Sequence, residues 1–151
     1  MDIEVLDKYT IISTTSNSIQ YFYINDYATG TGASMDWSAP FTLIFNLINY
    51  EGDCRLYIGD NDYSNVYSKL LSDLEIIPHS KVKLTYDGAE IIIFNNDVEI
   101  DRVTKSYDNF RIGFQLRYDS LLSYNLLTIC KRETQPIPLQ PMGSWRYRTT
   151  S

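Results

Sequence analysis

Apolar and polar residues alternate along most of this chain with a period of two, the spacing of a half-buried strand. Asn109–Arg117 is the clearest case. Phe110, Ile112, Phe114 and Leu116 share one face, and Arg111, Gly113, Gln115 and Arg117 share the other. Lys81–Tyr86 puts Val82, Leu84 and Tyr86 inward. Asp87-Gly88 then signals a tight hairpin, because both residues tolerate positive φ. The chain returns through Ala89–Phe94 and turns at Asn95-Asn96-Asp97 into Val98–Thr104. Phe41–Asn49 alternates Phe41, Leu43, Phe45 and Leu47, and Cys54–Gly59 sets Cys54, Leu56 and Ile58 against Arg55 and Tyr57. Lys8–Thr14, Ser18–Ile24 and Ser123–Lys131 complete the predicted strands. Asp26–Ala39, with Gly30 and Gly32, reads as a flexible connection and Asp60–Asn65 as a loop; Val66–Leu71 fits a strand or one helical turn. No segment sustains helical periodicity and no fixed repeat occurs. About eight to ten short strands in one domain predict an all-β fold of antiparallel strands, a two-sheet β-sandwich or a barrel.

Composition sharpens this picture. The 151 residues suffice for one core, and 17 Ile and 13 Tyr against 4 Ala favour strands over helices. The longest apolar run, Ile91–Phe94, is far short of the about 18 residues of a membrane helix. The opening Met1-Asp2-Ile3-Glu4 lacks the basic-then-apolar order of a secretion signal. No membrane insertion is expected. Charge divides the chain in two. Residues 1–130 hold 9 Lys and Arg against 18 Asp and Glu, a net −9; residues 131–151 hold 4 against 1, a net +3. An acidic body repels phosphates, so no nucleic acid partner is expected.

The expected organisation is a β-sandwich domain over 1–132 and an extended, basic, proline-rich tail over 133–151. Pro136, Pro138 and Pro141 keep that tail extended, and Trp145, Arg146, Tyr147 and Arg148 follow. The tail is expected to pack on a neighbouring subunit or back onto the domain, with Trp145 and Tyr147 as anchors and its charges steering the docking. A homo-oligomer or a larger protein assembly follows from that reading.

Reactive residues are few. Cys54 and Cys130 have no Cys-x-x-Cys spacing for zinc, and both free thiols and a single bridge are compatible with their positions. The one histidine, His79, sits in a Pro78-His79-Ser80 turn signal, which suits neither a catalytic triad nor a multi-histidine metal site. Asp53, Asp60 and Asp62 offer hard oxygens for calcium, but Asn65 stands where an EF-hand needs glycine and Leu71 where it needs glutamate. No cofactor is expected.

Three segments follow one another at familiar distances: Phe41-Thr42-Leu43-Ile44-Phe45-Asn46, Lys81-Val82-Lys83-Leu84-Thr85-Tyr86-Asp87-Gly88 and Arg111-Ile112-Gly113-Phe114-Gln115. Over about residues 37–131 the chain resembles the concanavalin-like (laminin-G-like) jelly-roll modules of adhesins and viral tail or fibre proteins. The resemblance implies a concanavalin-like jelly roll and a place on a virion or cell surface. Its hydrolase members carry a strand with paired carboxylates. Here Glu99-Ile100-Asp101 begins such a pattern, but Val103 and Thr104 stand where the second glutamate belongs. A non-catalytic module is therefore expected. Its role is structural, as a tail, fibre or decoration component. The alternative is lectin-like glycan binding by Arg55, Tyr57, Arg111, Gln115 and Arg117, with Gly113 leaving room between them and Tyr57 as an aromatic platform.

Overall fold

The computed structural model describes residues 1–6, 9–15, 19–27 and 37–130, with only the backbone at Val5, Tyr27 and 126–129. The described elements are β1 (Asp2–Val5), β2 (Thr10–Thr14), β3 (Ile19–Tyr23), one helical turn α1 (Ile24–Tyr27), β4 (Phe41–Asp60), β5 (Tyr67–Leu70), β6 (Ser80–Tyr86), β7 (Glu90–Asn95), β8 (Val98–Thr104) and β9 (Phe110–Cys130). The chain is mostly strand, and every pairing is antiparallel. One continuous sheet runs β1-β2-β9-β4-β6-β7-β8, with β3 also on β9 and β5 also on β4.

Four expected strands are really two. Phe41–Asn49 and Cys54–Gly59 are the halves of β4; Asn109–Arg117 and Ser123–Lys131 fall on β9. β4 and β9 pair along nearly their whole length, from Thr42↔Cys130 to Asp60↔Phe110. Fully extended, a strand of this length would span about 65 Å. Yet the rings of Phe41, at its start, and Phe110, opposite its end, are 5.0 Å apart, so the ribbon is folded double. Register shifts between Leu47/Asn49 and Glu51/Asp53 make the bend. Gly52 sits there with φ 86, opposite Tyr118 with φ 60. A Cβ on Gly52 would stand 2.6 Å from the Asp119 carbonyl oxygen, which is why the position needs glycine. The Asp53 N–H donates to Ser120 Oγ at 3.0 Å and ties the two strands together at the bend.

The doubling buries the apolar faces against each other, giving a sandwich-like fold. Phe41, Leu43, Phe45 and Leu47 meet Ile112, Phe114 and Leu116 in one hydrophobic cluster. The buried positions of β4 switch from odd to even numbers across the bend, where Cys54, Leu56 and Ile58 take over. Val82, Leu84 and Tyr86 of β6 point inward as expected. The turn between β6 and β7 lies one residue later than Asp87-Gly88. Gly88, with φ 103, and Ala89 occupy it, and the Asp87 carboxylate accepts the N–H groups of Ala89 and Glu90. Those donors hold the Asp87 pKa below its ordinary value. Val66–Leu71 resolves into the short strand β5. β1 is a strand that the sequence reading missed.

Candidate functional site

The register places the expected glycan-binding residues on one face. Arg55, Tyr57 and Gly59 of β4 stand opposite Gln115, Gly113 and Arg111 of β9, and Asp53 stands opposite Arg117. β3 borders them, with Tyr21 opposite Gln115 and Tyr23 opposite Gly113. The residues therefore converge, but the face is not open. Tyr57 is only 2% exposed and Gln115 6%. Tyr21 lies 5.0 Å from the Tyr57 ring and Tyr23 6.0 Å, and Tyr63 packs 5.2 Å from Tyr21. The Gln115 amide is spent internally: its Oε1 accepts from Ser68 Oγ at 2.7 Å and its Nε2 donates to Tyr21 Oη at 3.4 Å.

Two expectations need correction here. Tyr57 is not a stacking platform, because the tyrosines of β3 cover it. Gly113 does not leave room for a ligand either. An added Cβ would lie 1.8 Å from the Phe22 carbonyl oxygen, so the β3 backbone occupies that space. Burial, followed by the neighbouring Tyr21 and Tyr63, pushes the Tyr57 pKa up. Tyr23 is raised too, by burial first and then by Tyr57 and Tyr63. These phenols are neutral at physiological pH and pack as neutral groups.

The two outer cations face different hollows. Arg55 Nε bonds Asp53 at 2.9 Å and lines a groove of about 510 Å³ with Ser68, Lys69 and Asp101. Arg111 pairs with Asp26 of α1 at 2.6 Å, lies 5.6 Å from the Tyr23 ring, and lines a cleft of about 350 Å³ at the end of the fold. Trp37, Asn61, Tyr107, Asp108 and Asn109 complete that cleft. It combines aromatic rings with carboxylate, amide and guanidinium groups, the equipment for holding a polyhydroxylated ligand. Arg117 is half-buried near the bend and belongs to neither hollow.

The carboxylates are committed elsewhere. Asp60 is buried and accepts the Asn109 N–H and the Asn65 amide, each at 3.0 Å. Asp62 bonds Ser64 at 2.6 Å, and Asp53 holds Arg55. Asp53 and Asp60 lie seven residues apart on an extended strand, about 23 Å, so the three do not converge on one ion. Among the described residues, no three His, Cys, Asp or Glu side chains are placed to hold a metal. On β8, Glu99 pairs with Arg102 at 2.7 Å, and that hydrogen bond lowers its pKa. Burial pushes Asp101 up, but the Lys69 ammonium and the Tyr67 hydroxyl, both at 2.7 Å, outweigh it and leave its pKa lowered. Both carboxylates are thus engaged by cations on the surface of the sheet.

Both thiols are free. Cys54 is buried, and burial pushes it up to about 11. Cys130 is half-buried. His79 is exposed in its turn with φ 66. The tail residues Pro136, Pro138, Pro141, Trp145, Arg146, Tyr147 and Arg148 lie outside the described residues. The sequence reading overlooked Tyr21, Tyr23, Asp26 and Trp37. The alternation Tyr21-Phe22-Tyr23 was the available signal for the first two. Among the described residues, no helix is long and apolar enough to cross a membrane. The chain matches no family model and no curated protein.

Proposed function

We propose that this chain is a non-catalytic structural module of a virion or cell-surface complex, a tail, fibre or decoration component that associates with further copies of itself. The two limbs of the folded ribbon then correspond to the two sheets of a concanavalin-like jelly roll. One observation carries the assembly reading: a body of net −9 continues into residues 131–151, of net +3, which hold Pro136, Pro138 and Pro141. A strand-like tail of opposite charge binds a neighbour without requiring a large flat interface, and long-range attraction speeds its docking. The test is the mass of the full chain in solution as salt rises from about 0.05 M to about 0.5 M, which shortens the Debye length roughly threefold. Oligomers that dissociate at least tenfold more readily at high salt are the expected result. A mass unaffected by salt contradicts a charge-steered tail.

The end cleft favours a second reading, lectin-like binding of a cell-surface glycan, now centred on Arg111, Trp37 and Tyr107 rather than on Tyr57. Asp108 and Asn109 are both exposed at its rim, so replacing both by Ala leaves the core intact. Retention on immobilised cell-envelope glycans is expected to vanish in that variant. Equal retention by the parent and the variant removes the cleft as the site.

A further inference from the structure

The sheet has two unlike ends. β8, at one end, is covered by charges of both signs: Arg102 bridges Glu90 and Glu99, and Lys69 holds Asp101. Such dressing is how an edge strand avoids pairing with another chain. β1, at the other end, pairs only with β2 among the described residues. Its Asp2 and Glu4 are exposed and make no ion pair among the described residues. Met1, Leu6 and Tyr9 beside it are 42%, 42% and 39% exposed. This edge offers backbone hydrogen bonds, negative charge and apolar margins together.

The tail carries the complement. We infer that residues 134–140 of one copy add as an antiparallel strand to the β1 edge of a neighbouring copy. This deepens the assembly reading and rests on it. An added strand turns alternate N–H groups toward its acceptor and the others away. Proline has no N–H to give and is tolerated only where the group would point outward. Pro136 and Pro138 share one parity, which leaves Gln135, Ile137 and Leu139 to donate. Pro141 falls on the donating parity and ends the strand. Lys131 and Arg132 arrive just ahead of it, opposite in sign to Asp2 and Glu4, and Ile137 and Leu139 supply apolar side chains for the margins. The outward prolines also stop any further strand from adding.

The acceptor is another copy because the chain's own β1 is out of reach. β9 runs parallel to β1, and Val5 lies level with Tyr124 through Thr10. From Cys130 the site outside β1 lies three strand spacings across and about five residues back, about 22 Å away. The five residues from Cys130 to Gln135 span at most about 18 Å, and they would also have to reverse direction.

The test is proline parity in the full chain, read by native mass over a range of concentrations. Ile137→Pro removes a donor facing β1 and is expected to weaken association at least tenfold. Gln140→Pro adds a proline on the outward parity and is expected to change association less than twofold. Hydrogen exchange at Asp2–Val5 should slow on association in the parent and in Gln140→Pro. If both prolines weaken association alike, or neither does, the strand pairing is overturned while the assembly reading stands. If the parent is a monomer at every concentration, the assembly reading falls and takes this inference with it.

Discussion

Replacing Gly113 by alanine should cost more than about 4 kcal/mol, the range reached only by exceptional single substitutions. A Cβ there would lie 1.8 Å from the Phe22 carbonyl oxygen and 2.8 Å from the Tyr23 Cα. Both are backbone atoms of a strand paired with β9 over five residues, so no side-chain rotation relieves the clash. β3 has to move away from β9. Tyr21 and Tyr23 move with it, and Tyr57 and Gln115 lose their cover. Gly59 is the internal control, because the nearest atoms to its added Cβ are side-chain atoms at longer range, the Tyr57 hydroxyl at 3.0 Å and ring carbons at 3.3 Å. Urea unfolding of Gly113→Ala and Gly59→Ala, with hydrogen exchange at Ile19–Tyr23, measures both. A loss below about 1 kcal/mol for Gly113→Ala would mean that β3 does not lie against β9 in this way.

The second large effect lies in the core. Phe45 and Phe114 are fully buried, and their rings meet at 5.7 Å and 87°, the edge-to-face arrangement. In register, Phe45 pairs with Leu126 and Phe114 with Leu56, so the two phenylalanines are not cross-strand neighbours. They touch only because the ribbon is doubled. Tyr124 packs against both, at 5.9 and 5.5 Å, so truncation leaves a cavity that one side chain cannot fill. Each change to Ala should cost about 3–5 kcal/mol. The double variant should differ from the sum of the single ones by about 0.5–1.5 kcal/mol or more, since the residues touch. Simple additivity would contradict the facing of the two limbs.

Strand content was legible wherever alternation held for five residues or more. The halves of β4 and β9 are correct in their inward sets, Phe41 to Leu47 and Phe110 to Leu116, because burial acts on every second residue. Their continuity was hidden. Gly52 and Asp119 are turn residues by type, and the switch from odd to even buried positions across Gly52 mimics the end of one strand and the start of another. The candidate site was half legible. Arg55, Tyr57, Arg111, Gln115 and Arg117 do share a face, as period two requires. That the face is closed depends on β3 reaching Gly113 across some ninety residues of sequence, and no local pattern encodes such a contact. In β1, half-buried Ile3 lies between exposed Asp2 and Glu4, but four residues are too few to separate from chance.

The most direct test of the assembly account is the native mass of the full chain beside that of a chain ending at Arg132, each over a range of concentrations. A stable oligomer is expected for the first and a folded monomer for the second. The same number of subunits for the two, whether one or several, would contradict it.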